Sequence, residues 1–256
     1  MSIKELKTQG RRLLKKNNYW LNIAVVFFMT INIDDIISKI TTDYKALFSV
    51  FTQSNFNWEN IKPFVLNSRV DDSLTDLILT LAIILFEVLF LTILKVGGIR
   101  YFLKLRKNQP VKFSDIFSDF KNKTAGNIVT VSFITFLSCL LWTFVFIVPG
   151  IIKVCQYAAV EYILALRPDI DATEALNLSK TLMKGNKWKF FVLGLSFILW
   201  NILSVFTFDI LGYLFVIPYQ EATFIEFFSK IREDAIEKGV ITSNMLPDNL
   251  QGENYE

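Results

Sequence analysis

Four glutamates lie inside otherwise apolar stretches of the sequence and could form a polar site within a membrane. They are Glu87, Glu161, Glu221 and Glu226. Ionisable groups are costly inside a bilayer, so those that occur there are candidates for ion or proton sites. One hypothesis is a polar cavity that binds a cation, a proton or a cationic peptide. The alternative is that the carboxylates snorkel or pair with nearby lysines and arginines, which the sequence favours for Glu161 and Glu226.

A second set of residues has the chemistry to contact lipid headgroups. Lysine side chains at the ends of apolar stretches can reach phosphates, and tryptophan prefers the membrane–water interface. The candidates are Lys15, Lys16, Lys153, Lys184, Lys187 and Trp188. We expect Lys153 at the outer face and the others at the inner face, where anionic lipid is the expected partner.

The sequence lacks the residues that most enzyme and metal sites need. Histidine is absent, which removes the usual general base and the commonest metal ligand. Cys139 and Cys155 lie in apolar runs without metal-ligand spacing, so we interpret them as packing residues. No phosphate loop, dinucleotide turn or nucleophile elbow occurs. We therefore predict no enzyme and no cofactor, and the net charge of +3 does not indicate a nucleic-acid partner.

The composition indicates that these residues are positioned by membrane helices. Hydrophobic residues make up 52% of the chain and phenylalanine occurs 25 times, more than a soluble domain usually carries. Apolar stretches close to the ~20 residues that cross a bilayer predict an all-α polytopic bundle with six transmembrane helices. The predicted spans are about 20–33, 74–94, 127–148, 151–166, 188–207 and 210–228. Pro149 and Gly150 are expected to form the turn between the third and fourth spans.

Lysine and arginine are concentrated between alternate spans and at both ends of the chain. By the positive-inside rule, this pattern predicts a multi-pass cell-membrane protein with cytoplasmic N- and C-termini. We expect a single membrane domain over residues 1–235, with an outer loop over residues 34–73. Residues 240–256 are polar and are predicted to form a disordered cytoplasmic tail.

Two amphipathic segments lead directly into predicted spans. Residues 3–16 and 171–184 place apolar side chains on one helical face, so we expect helices lying on the cytoplasmic membrane surface. Asp171 is expected to cap the second helix, with Glu174 completing a capping box. The order of amphipathic helix, span, turn and returning span occurs three times, which predicts three parallel hairpin units. The alternative is that apolar segments of low complexity match one another by chance.

Three motifs resemble a known family. They are the segments 146–153 (FIVPGIIK), 179–188 (SKTLMKGNKW) and 217–219 (IPY). Together they are similar to the integral membrane family of Gram-positive bacteria catalogued as domain of unknown function 975, over residues from about 85 to 230. That family has no established activity. The resemblance therefore implies a multi-span membrane fold and no catalytic residues.

The sequence leaves two main functional hypotheses. The first is a non-catalytic membrane protein that binds within the bilayer, as an accessory or immunity-type factor for a membrane protein, a lipid or a membrane-active peptide. The alternative is a small transporter or channel that uses the buried carboxylates. An intramembrane enzyme is a third hypothesis, for which the residues offer no support.

Overall fold

The computed structural model describes residues 2–16, 18–30, 90–121, 124–145, 147–205, 207 and 211–247. The chain divides into two compact units, residues 1–30 with 91–256 and residues 31–90. Of the second unit only Phe90 is described, so the predicted outer loop, most of the second span and Glu87 lie outside the described residues. Every regular element of the described residues is helical, as the all-α prediction requires.

The helices of the first unit are numbered here in chain order. They are α1 (Ile3–Leu14), α2 (Tyr19–Thr30), α3 (Thr92–Arg106), a 3-10 helix (Phe113–Phe117), α4 (Ser118–Lys121), α5 (Ala125–Val145), α6 (Ile147–Tyr157), α7 (Val160–Leu166), α8 (Ala172–Met183), α9 (Lys187–Leu195), α10 (Ile198–Val205), a π-helical segment (Gly212–Val216) and α11 (Ile217–Glu237).

Helices α1, α3, α7, α8 and α11 meet in one apolar core, which we call the packed base. Its centre contains Phe102, Tyr162, Ile163 and Leu182, each exposed by 2% or less. Burial of side chains of this size contributes about 1.5–3 kcal/mol each relative to exposure to water. The packed base therefore fixes the mutual positions of helices that are distant in the sequence.

The apolar stripes of the two amphipathic helices are buried in this base. Leu6 and Leu14 of α1 are 5% and 2% exposed, and α1 packs along α11. On α8, Ala175 and Met183 are fully buried, and the helix packs on α6 and α7. Protein therefore covers both stripes, whereas the sequence led us to expect shallow burial in lipid. An apolar stripe is stabilised in either environment, so its periodicity does not distinguish them.

The start of α8 is determined by local hydrogen bonds. The side chain of Asp171 accepts a hydrogen bond from the backbone N–H of Thr173 at 2.8 Å, which confirms the predicted cap. Glu174 instead forms an ion pair with Arg167, whose Nη1 lies 2.7 Å from its carboxylate. The predicted capping box is thus replaced by a link back to the end of α7.

Beyond the packed base the helices expose apolar side chains. Among the described residues, three segments are long and apolar enough to cross a membrane: Ala125–Thr143, Val148–Leu166 and Lys187–Ser204. The apolar helix Tyr19–Met29 is shorter. Leu141, Val148 and Leu199 are 58%, 68% and 77% exposed, which is unfavourable in water and expected in lipid. The structure therefore has the features of a membrane protein.

The two residues predicted to form the turn between the third and fourth spans lie inside a helix. Pro149 and Gly150 lie in the first turn of α6. Backbone N–H groups there have no acceptor within the helix, so a proline, which lacks the N–H, removes no helical hydrogen bond. Gly150 faces Thr143, and a Cβ at Gly150 would lie 2.5 Å from the Thr143 Oγ1 and 2.8 Å from its Cα. The glycine is thus needed for the close approach of the two helices, and the expected Pro-Gly turn is wrong.

The segment that follows α11 packs against the base as far as Pro247. Ile241 and Leu246 are 4% and 0% exposed. The Nε and Nη2 of Arg232 donate hydrogen bonds to the carbonyl of Leu246 at 3.1 and 2.6 Å. The tail that the sequence predicted to be disordered from residue 240 is therefore ordered over residues 240–247.

Candidate functional site

One of the predicted intramembrane carboxylates pairs with Lys95 of α3, and a second interacts with Lys95 electrostatically. The Nζ of Lys95 lies 2.9 Å from the carboxylate of Glu161 on α7, and Glu221 on α11 also interacts electrostatically with Lys95. The side chains of Lys95 and Glu161 remain 34% and 38% exposed. This charge cluster is therefore partly exposed and carries more negative than positive groups, which suits a cation or a proton.

Glu226 belongs to a different group. Its carboxylate, only 8% exposed, lies 3.0 Å from the Nε of Arg106 on α3. The Nη2 of Arg106 also lies 2.8 Å from the carboxylate of Glu233, further along α11. This is the pairing that the alternative interpretation of Glu226 predicts, and it ties α3 to α11. The structure thus brings Glu161 and Glu221 together and keeps Glu226 apart.

A buried ion pair that the sequence analysis did not single out links α3 to α4. The Nη1 of Arg100 lies 2.8 Å from both carboxylate oxygens of Asp119, and its Nε donates to the carbonyl of Ala165 at 3.0 Å. Arg100 and Asp119 are 3% and 0% exposed. The signal in the sequence was weak: Asp119 is one of two acidic residues in a strongly basic segment. Its position indicates a structural role.

A buried asparagine connects the first three helices. The Nδ2 of Asn22 donates to the carbonyls of Leu14 and Lys16 at 2.7 and 2.8 Å, and its Oδ1 accepts a hydrogen bond from Tyr101 at 2.9 Å. Burial raises the pKa of Tyr101 to about 12, so its hydroxyl remains a donor at physiological pH. In the sequence, this network was signalled only by one asparagine within an apolar run.

The candidate headgroup contacts fall in different places. Lys15 is exposed at the end of α1, whereas the Nζ of Lys16 donates to the carbonyl of Arg106 at 3.0 Å. The Nζ of Lys153 lies over the ring of Trp142, 4.6 Å from its centroid, in a cation–π contact. Only the remaining three candidates are gathered in one site.

Lys184, Lys187 and Trp188 line a pocket of about 490 Å³ with Gln156 and Lys180. We call it the lysine pocket. The Nζ of Lys187 donates to the Oε1 of Gln156 at 3.4 Å, and Trp188 is 72% exposed. The pocket lies where α8 ends and α9 begins, and the turn between them contains Gly185 at a φ of 80°, a value that favours glycine.

An apolar groove of about 480 Å³ lies between α6 and α9. We call it the α6–α9 groove. Its rim is exposed: Ile151 and Val154 on α6 are 46% and 50% exposed, and Leu195 on α9 is 44% exposed. Gly194 lines its floor, with open space where a Cβ would stand. The groove is thus accessible from the apolar surface that we assign to lipid.

The groove and the lysine pocket are adjacent. On α6, Cys155 lines the groove and Gln156 the pocket; on α9, Phe190 lines the groove, and Lys187 and Trp188 line the pocket. The combined site therefore has an apolar length and a cationic end. Among the described residues, no group of histidine, cysteine and acidic side chains could hold a metal ion.

Two of the three sequence motifs line this site, and the third lies elsewhere. The segment 147–153 begins α6, the segment 179–188 joins α8 to α9, and Ile217–Tyr219 begins α11. Residues 145–235 match the family described as protein of unknown function (DUF975). The resemblance inferred from the sequence is therefore confirmed over this segment, although it was expected to begin near residue 85.

The DUF975 segment includes the whole lysine pocket and almost all of the α6–α9 groove. The family description assigns no activity to it. No curated protein and no solved structure matches the chain.

Proposed function

We propose that this protein is a non-catalytic integral membrane protein that acts by binding a partner within the bilayer. The observation that carries the proposal is the α6–α9 groove, which is apolar and opens onto lipid-facing side chains. A partner entering from the bilayer meets apolar side chains until it reaches the lysine pocket. A lipid, a membrane-active peptide or another membrane protein can approach in this way, as an accessory or immunity-type role requires.

We further propose the full topology of six spans with both termini in the cytoplasm of a bacterial cell. Three spans correspond to the apolar segments described above, and the basic residues at the ends of α1 and α8 favour the cytoplasmic side for those ends. The three-unit repeat remains part of this proposal. It is supported by α1 and α8, which each have 12 residues and lead through a short linker into an apolar helix.

The test of the binding function begins with deletion of the protein from its host. We expect greater killing by cationic membrane-active peptides, with unchanged uptake and efflux of small solutes. The deletion strain is then complemented with Gly194→Leu, which fills the groove from a position where added atoms meet nothing within 4 Å. Because this variant obstructs the groove without displacing backbone, it should fail to restore resistance.

The matched control is Gly126→Leu, at a helical glycine on α5 that also has nothing within 4 Å and lies outside the groove. This variant should restore resistance like the wild type. Full restoration by Gly194→Leu, at equal protein abundance, would show that the groove is not the binding site.

The alternative function, a small transporter or channel, is favoured by the cluster of Lys95, Glu161 and Glu221. Three interacting ionisable groups on apolar helices are the kind of arrangement that lines an ion path. A transporter or channel would be indicated if the flux of one solute changed in the deletion strain and complementation with Glu221→Gln failed to restore the normal flux. Such a result would replace the binding proposal.

A further inference from the structure

The lysine pocket differs from the ion pairs of the packed base in the groups that its cations meet. Arg100 faces Asp119 and Arg106 faces Glu226. Within the described part of the chain, the polar contacts of the three pocket lysines are instead neutral: Lys180 donates to the Oδ1 of Asn177 at 3.2 Å, and Lys187 donates to Gln156. Three positive charges therefore line one pocket, and among the described residues no acidic side chain lines it with them.

Such a concentration of charge selects an anionic partner. Ammonium groups that share a pocket repel one another, and an anion placed among them removes that repulsion and gains charge-assisted hydrogen bonds. Lysine binds phosphate as a point charge and does not require a fixed geometry. A cationic peptide would be repelled at this end of the site.

The groove indicates that the ligand also has an apolar part. From Lys187 to Ile198, α9 and the turn that leads into α10 rise about 16 Å at ~1.5 Å per residue. That length is about half of a ~30 Å hydrocarbon core, which is the depth of one leaflet. Trp188, at the junction of pocket and groove, has the amphipathic ring that is favoured at headgroup level. A ligand with one anionic end and an apolar chain of leaflet length matches the site.

We infer that the lysine pocket and the α6–α9 groove bind one anionic phospholipid, with its phosphate among Lys180, Lys184 and Lys187 and an acyl chain against Gly194. This inference rests on the proposed function and names its ligand. The lipid enters from the leaflet that faces the lysine pocket. Its net negative charge distinguishes it from a zwitterionic lipid, whose own cation is repelled by the ammonium groups.

The experiment uses the purified full-length protein in detergent micelles. Phosphatidylglycerol or phosphatidylcholine with identical chains is added, and bound lipid is counted by native mass spectrometry. We expect tighter binding of phosphatidylglycerol. The double variant Lys184→Gln with Lys187→Gln should weaken that binding by about tenfold for each charge-assisted hydrogen bond that it removes. The variant Lys184→Arg with Lys187→Arg keeps the charges and should retain binding.

The matched control removes the same charge elsewhere, through Lys4→Gln with Lys238→Gln. Both lysines are exposed and neither lines the pocket. This control should bind phosphatidylglycerol like the wild type, whereas Gly194→Leu should bind it weakly because the chain has no space. Unfolding temperatures measured on the same samples identify any variant that is misfolded.

Three results would overturn the assignment. Equal binding of the two lipids, or equal weakening in the pocket variant and the control, would show that the lysines do not select the headgroup. Competition by glycerol phosphate as strong as that by the whole lipid would indicate a phosphate site without a chain. In each case the host phenotype of Gly194→Leu still tests the binding function separately, so the two proposals can fail independently.

Discussion

The buried pair of Arg100 and Asp119 allows a quantitative prediction about stability. We consider Asp119→Asn, which keeps the size of the side chain and removes its charge. The paired side chains are 4% and 1% exposed, so the guanidinium of Arg100 would remain buried without a counter-charge. Loss of one partner of a buried pair costs about 3–5 kcal/mol of unfolding free energy. The linkage between α3 and α4 should weaken accordingly.

The assay follows thermal unfolding in detergent through the reaction of Cys155 with a thiol-specific fluorophore, in a Cys139→Ser background because Cys139 is partly exposed. Cys155 is 7% exposed, so its reaction should accelerate when the helices separate. A destabilisation of this size would lower the midpoint by about 6–20 °C, if the proportion found for soluble domains of similar length applies. Replacing both partners, as Arg100→Met with Asp119→Leu, should recover most of the stability because no buried charge remains.

The control for this prediction is Glu174→Gln, which breaks the pair with Arg167 at the start of α8. That pair is 24% and 48% exposed, so we expect a change of about 0–1 kcal/mol. The reasoning is refuted if Asp119→Asn lowers the midpoint by no more than Glu174→Gln does. Such a result would mean that water or a rearranged side chain compensates the charge of Arg100.

Two further predictions use the same thiol assay. Gly150→Ala should destabilise the protein by about 1–3 kcal/mol, because its Cβ would overlap Thr143. Gly194→Ala should be neutral or slightly stabilising, since its Cβ meets nothing within 4 Å. Equal unfolding midpoints for the two variants would contradict the close approach of α5 and α6. Leu246→Ala should cost about 2–5 kcal/mol because the side chain is fully buried, whereas Met245→Ala, at 45% exposure, should change stability by less than about 0.5 kcal/mol. Equally small effects at both positions would show that the tail is not packed.

Local signals in the sequence were sufficient to predict several elements of the fold. The amphipathic segments predicted at residues 3–16 and 171–184 are helices at Ile3–Leu14 and Ala172–Met183, and Asp171 caps the second. Three of the predicted spans correspond to apolar helices. Backbone hydrogen bonds and caps in a helix join residues at most a few positions apart, so residue type and spacing carry that information.

What each helix face contacts could not be predicted from such local signals. The stripe containing Leu6 and Leu14 is apolar whether lipid or α11 covers it, and the arrangement of the helices decides which does. Leu246 belongs to a polar tail by composition and is nevertheless buried, because Arg232 holds its carbonyl. Periodicity reports that a face is apolar and does not identify what it contacts.

The candidate sites show the same division between sequence and tertiary structure. The sequence by itself determined that Glu161 lies within an apolar stretch and that Lys184 and Lys187 lie just before another, because charged side chains are excluded from long apolar runs except where they can reach a partner or the interface. Only the tertiary structure paired Glu161 with Lys95 and placed Lys187 beside Gln156, the α6 residue that adjoins the groove. Charge pairing and groove formation depend on distances between helices remote in sequence, and packing of the whole chain sets those distances.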